Sequence, residues 1–295
     1  MAKATLLFIG TDEGLVLLSD PAAQGRWLRS AHQLQGNVVQ SVWVDPSNPL
    51  IVLVIADRHV LRSSDGGQTW QTVRIASDLT ATAALYGDSR RPALVYLLVD
   101  NFLFESRDAG VTWRAMTLPG QCAGCAIDGN GRLVVAAGHQ VLIDGDQRAQ
   151  WTPLGSPLPG VIRMLVTSPG GAGALCALTG GEVYAWAQEA WRRIDGLPGE
   201  ATVCAVLAGA TPTLLAALTD GGIVRGTLHA WEPTLVALPW ASATTVLSPV
   251  GYHMDTVFAS SAHGDVAISQ DRGRSWTVVR RSLAAVRSVA AARLA

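Results

Sequence analysis

Ser63-Ser64-Asp65-Gly66-Gly67-Gln68-Thr69-Trp70 decides how this 295-residue chain is read, because the pattern Ser-x-Asp-x-Gly-x-Thr/Ser-Trp returns at 106–113 and at 269–276. Each copy follows a short apolar run and precedes an alternating one, which marks it as the turn of a β-hairpin. The chemistry is local. The carboxylates of Asp65, Asp108 and Asp271 accept hydrogen bonds from nearby backbone N–H groups, and Gly67, Gly110 and Gly273 take backbone angles that a side chain opposes. Trp70, Trp113 and Trp276 open the next strand as large apolar plugs. Ser63, Ser106 and Ser269 complete the set, and all twelve residues read as structural.

With the three octet tryptophans as rulers, a longer series stands out: Trp27, Trp70, Trp113, Trp151, Trp191, Trp231 and Trp276, at intervals of 43, 43, 38, 40, 40 and 45 residues. Units of this length fit four strands with their loops, and seven units of about 42 residues account for the whole chain. Trp43, Trp186 and Trp240 fall outside the series.

The octets resemble the Asp-box, or BNR repeat, of β-propellers, found in sialidases, sortilin-type receptors, xyloglucan-degrading glycosidases and photosystem II assembly factors. The resemblance implies an all-β, seven-bladed propeller of four-stranded antiparallel blades, forming one domain over 1–295. It also implies that the octets lie between the third and fourth strands of a blade, away from the ligand-binding face.

Strands A to D of the second unit are read at 38–44, 50–55, 60–63 and 70–75. In the third unit they fall at 80–85, 93–99, 102–106 and 113–118, and in the last at 243–247, 256–260, 266–269 and 276–279. Units four to six keep the rhythm with degenerate turns at 144–146, 185–190 and 226–230. The first unit begins at strand B (5–10), whereas 286–291 looks like a lone strand A. A ring with two open edges invites aggregation, so the C-terminal strand is expected to complete the N-terminal blade.

Composition narrows the function. A net charge of −1 with 15% charged residues gives no electrostatic case for nucleic acid or an anionic membrane. The most apolar stretch, 201–218, is broken by Gly209, Thr211 and Pro212 and splits into two strands rather than a membrane span. The apolar run after Lys3 is too short for a signal peptide, which makes the cytoplasm the expected location. Cys122 and Cys125 have C-x-x-C spacing, but in an alternating run they would face opposite sides, so buried thiols are expected rather than a zinc or redox pair.

Catalytic constellations are absent from the sequence. Sialidases carry a Phe/Tyr-Arg-Ile-Pro motif, an arginine triad and a tyrosine–glutamate nucleophile; Arg193-Ile194-Asp195 is the nearest echo, and no tyrosine directly adjoins a glutamate. The chain contains no G-x-S-x-G, H-E-x-x-H or Walker A motif, and no cofactor or metal site is expected. The glycine-rich 170–173 reads as a hairpin turn.

What remains is the mouth of the axial channel, where D–A connections and B–C turns gather. Asn37, Gln40, Arg163, Glu200 and Arg287 lie at the beginnings of strand A and should stand nearest the axis. Apolar alternation places Gln40, Arg163 and Arg287 in one column, with Glu200 as a neighbouring acceptor. Such a ring suits a protein partner or a small polar ligand. A non-catalytic scaffold for protein interaction or complex assembly is the favoured function, and a carbohydrate-binding or divergent glycoside-hydrolase propeller the alternative.

Overall fold

The computed structural model describes residues 4–76, 79, 83–99, 101–145, 150–170 and 174–294. Among them are seven four-stranded antiparallel sheets and no helix. The first strand of each sheet touches the first strand of the next, and these contacts close into a ring. Strand A is therefore innermost, and the molecule is a seven-bladed β-propeller.

The seam lies where the sequence places it. Val286–Arg293 pairs with Thr5–Thr11, in register from Thr5↔Arg293 to Gly10↔Ser288, and becomes strand A of the first blade. The Leu294 amide extends the ladder to the Ala4 carbonyl at 2.8 Å, and the Asp12 amide reaches the Ala285 carbonyl at 3.1 Å. Side chains bind the closing strand to both neighbours: Thr245 Oγ1 donates to the Val286 carbonyl (3.2 Å), Ser248 Oγ to the Val289 carbonyl (2.9 Å), and the Val42 amide to Ser288 Oγ (3.0 Å).

Between each pair of adjacent blades the described residues form a buried apolar cluster, seven in all. Each holds one member of the tryptophan series, set against the preceding blade: Trp27 closes onto the last blade, Trp70 onto the first, and so on round to Trp276. Aromatic side chains bury roughly 150–250 Å², worth about 4–6 kcal/mol each before ordering entropy. Trp151 and Trp191 also donate their indole N–H to Thr117 and Leu154 carbonyls of the preceding blade, at 2.8 and 2.7 Å. The 40-residue rhythm is thus the rhythm of the blade interfaces.

The octets act at the same interfaces. In the second copy the Gly110 amide donates to Ser106 Oγ (2.8 Å), while Asp108 accepts from the Thr112 amide (2.9 Å) and hydroxyl (2.5 Å). The other two copies repeat all three distances within 0.1 Å. Gly110 has φ 83°, and a Cβ there would lie 2.5 Å from Leu53 in strand B of the preceding blade; at Gly273 the corresponding distance to Leu215 is 2.7 Å. Arg62 and Arg225, from strand C of those preceding blades, each donate to the carbonyl of the residue before the octet glycine, Ala109 and Arg272, at 2.9 Å. The octet is a clasp between blades as well as a hairpin turn.

Some expected boundaries shift. Octet tryptophans stand one residue before strand D, which begins at Gln71, Arg114 and Thr277. Strand A of the third blade is Ala84–Asp88, later than 80–85, whose residues 80–82 lie outside the described residues, as do 146 and 171–173 of the expected turns. The turn expected at 185–190 shortens to Gln188-Glu189, both at positive φ, because Trp186 pairs with Trp191 and prolongs the hairpin. Cys122 precedes its strand, Gly124–Ile127, so alternation does not govern it, and it packs in the same cluster as Cys125.

Candidate functional site

Strand A of five blades carries a bulge at one level. The pairing jumps from Val39↔Ala56 to Ser41↔Ile55, and in the same way across Arg163, Thr202, Thr245 and Arg287. A bulge leaves the extra residue out of the ladder and re-aims its side chain. The expected column of Gln40, Arg163 and Arg287 is therefore present, joined by Thr202 and Thr245, whose hydroxyls carry the same geometry with less conspicuous chemistry.

The five predicted mouth residues meet different fates. Asn37 donates to the Leu34 and Gln35 carbonyls of its own turn. Gln40 Nε2 reaches the Ala83 carbonyl of the next blade at 3.2 Å. Arg287 grips Asp12 with two bonds of 2.6 and 2.9 Å; its partner is this B–C turn carboxylate rather than Glu200, because the closing strand sets the two side by side. The first carbons of the Glu200 side chain pack on Gly181, where an added Cβ would meet them at 2.9 Å, while its carboxylate makes no ion pair among the described residues. Arg163 is exposed and makes neither hydrogen bond nor ion pair among them. Val38 and Val161, two residues before Gln40 and Arg163, are exposed large apolar side chains at this mouth.

The surrounding B–C turns are tied up locally. Asp57 accepts from the Val38 amide and Arg58 donates to the Leu79 carbonyl. His32, His59 and His139 contact the backbone carbonyls of Glu13, Asp57 and Leu158. No group of three or more metal-ligating side chains gathers among the described residues.

One pairing escapes a search for adjacent residues. Glu182 and Tyr184 are two apart on a strand, hence on one face, and Tyr184 Oη donates to Glu182 Oε2 at 2.9 Å while Arg193 holds Oε1 at 2.9 Å. The hydrogen bond from Tyr184, then Arg193, lowers the Glu182 pKa; burial, then the bond to Glu182, raises that of Tyr184. The phenol and a carboxylate that Arg193 also holds thus stand within hydrogen-bond reach of each other.

A cavity lies at the other end of the axis. About 390 Å³ opens among the C-terminal ends of the inner strands and the A–B turns, with Trp43, Asp88, Arg90, Ser168, Tyr252 and Arg293 in its wall. The mouth expected to bind is a ring of side chains, and the opposite mouth is a chamber.

No family model and no curated protein sequence matches the chain. Solved structures match it in fold. The structure of YCF48 bound to D1 peptide has 17% identity and a TM-score of 0.63, covering 81% of each chain. Apo AztD from Citrobacter koseri has 11% identity and a TM-score of 0.69 over 99% of each chain. The RRP9 WD40 repeats have 13% identity and a TM-score of 0.64, over 88% of this chain and 84% of that one.

Proposed function

We propose that this chain is a non-catalytic scaffold that holds a protein partner at the mouth formed by the D–A connections and B–C turns. One observation carries the reading: Arg163 stands exposed and unpaired on a bulge anchored in the innermost strand, beside exposed Val161. An unpaired guanidinium on a fixed strand, next to apolar surface, is the composition of an interface anchor, and it fits an acidic segment with an apolar neighbour. The likeness to a propeller solved with a peptide, and to WD40 repeats, supports this reading. The test is capture from native lysate with wild-type protein and Arg163→Glu as paired baits. A partner retained by the first and lost by the second is the expected result; identical captures would remove Arg163 from the interface.

The carbohydrate reading has the Tyr184–Glu182–Arg193 cluster in its favour, but it lies against a cavity of only about 110 Å³, well below the usual size of ligand pockets. A glycan array is expected to show no binding.

A further inference from the structure

We propose that the chamber at the opposite end of the axis is a binding site for a small hydroxy- or oxo-monocarboxylate with a compact apolar body. Standing at the far end of the channel from Arg163, it does not depend on the scaffold reading. Its volume of about 390 Å³ falls in the range of small-molecule sites.

The charges in the wall select a single acidic group. Buried Asp88 accepts from Arg90 Nε at 3.1 Å and from Arg91 Nε at 3.0 Å. Arg90 also donates to the Gly129 and Asp128 carbonyls, at 2.6 and 2.8 Å. With a longer bond to Asp88 Oδ2 at 3.4 Å, four of its five N–H groups are engaged, and the Asp88 carboxylate beside it opposes a second negative charge on a ligand. Arg293 differs. Its guanidinium carbon lies 5.0 Å from the centre of the Tyr252 ring, and its side chain makes no hydrogen bond or ion pair among the described residues. This cation–π contact holds the guanidinium beside the ring and leaves its N–H donors for a carboxylate.

A second polar group asks for an acceptor or donor. Ser168 is only 6% exposed, and its Oγ has no partner among the described residues. A buried hydroxyl left unpaired costs about 1–3 kcal/mol; turning the serine side chain toward the cavity would let a hydroxyl or oxo oxygen on the ligand relieve it. Trp43, although only 9% exposed, is a large aromatic side chain in the wall beside the body of the molecule.

Lactate and mandelate serve as probes, with lactamide and mandelamide as uncharged controls, read by thermal shift and calorimetry on the full chain. Saturable binding of mandelate is expected, tighter than lactate, with no binding of either amide. Arg293→Gln should weaken mandelate by about tenfold or more. Ser168→Ala should weaken it several-fold while the unliganded melting temperature stays level or rises, a pattern that a purely structural serine would not produce. Arg163→Glu, at the other mouth, should leave mandelate affinity unchanged. Failure of both acids to bind wild-type protein overturns the assignment, as does undiminished affinity in folded Arg293→Gln or a loss in Arg163→Glu.

Discussion

The guanidinium of Arg287 and the carboxylate of Asp12 lie face to face, with Nε to Oδ1 at 2.6 Å and Nη2 to Oδ2 at 2.9 Å, so the last strand of the chain grips the first B–C turn through a two-pronged ion pair. The side chains are 53% and 35% exposed, and water screens such a pair to about 0.2–1 kcal/mol. The hydrogen bond from Arg287 lowers the Asp12 pKa. A carboxylate lowered by folding contributes stability above its unfolded value, near pH 4, and loses that contribution as pH falls through the folded value. Thermal melts of Arg287→Gln should therefore fall slightly behind wild type at neutral pH and converge on it as pH drops below the unfolded value and through the lowered folded one. A constant gap across that range would show that the pair's charge plays no part.

Ring closure carries far more. Deleting 286–295 removes the partner of Thr5–Thr11 and exposes an edge along a strand whose Leu7, Phe8 and Ile9 are fully buried. The lost burial of Val286, Val289 and Ala292 alone predicts a fall in melting temperature of roughly 10 °C or more, with aggregation through the open edge. Gly264→Ala attacks the approach to the seam by a single atom: φ is 84°, and a Cβ would stand 1.8 Å from the Leu283 carbonyl oxygen. It should melt well below wild type; a melt within a degree or two in either case would contradict the closure energetics.

At the octets the order of damage separates clasp from turn. Asp108 serves the exposed amides of Val111 and Thr112, which water partly satisfies when the carboxylate is removed, so Asp108→Ala should cost only about 0.5–1.5 kcal/mol. Gly110→Ala drives a methyl against Leu53 of the preceding blade and strains a left-handed residue, at a cost of roughly 2–4 kcal/mol. Denaturant titration of both variants checks the ranking. A more damaging Asp108→Ala would mean that the turn outweighs the interface.

The four cysteines are free and buried in blade interfaces. Burial raises the thiols, Cys122 to about 11 and Cys204 to about 12. Native protein at pH 8 should thus react with a thiolate-selective reagent at the rate of unfolding, reaching four equivalents only in denaturant. A fast-reacting thiol in the native state would show one interface opening locally.

The propeller is legible in the sequence because one large residue per blade must fill each interface, so the tryptophan spacing counts the blades directly. Closure is legible for a similar reason, since a unit lacking strand A and a spare strand at the other terminus leave one economical pairing. The column through Gln40, Arg163 and Arg287 follows from alternation, but Thr202 and Thr245 at the same level carry small hydroxyls that nothing in the local sequence singles out. Asp12 as the partner of Arg287 is hidden by 275 residues of separation that only the closing strand removes. The axial chamber is illegible in principle from local pattern. Its wall is assembled from the far ends of strands in different blades, and no segment carries more than a few of its residues.

Arg163 and Arg287 occupy equivalent bulges and so form a matched experiment. Arg287 has its carboxylate; Arg163 has none among the described residues. Replacing Arg163 by Gln removes no hydrogen bond or ion pair among the described residues, so the stability should stay within the ±0.5 kcal/mol typical of surface changes, whereas partner capture should weaken if this mouth binds. Arg287→Gln should do the reverse, with a small loss of stability at neutral pH and little loss of capture, because its charge is already committed to Asp12. The two variants, measured side by side for melting and for capture, distinguish a binding arginine from a seam arginine at the same structural level. If Arg287→Gln abolished capture while Arg163→Gln left it intact, the partner would be reading the seam, and the unpaired guanidinium would lose its claim to the interface.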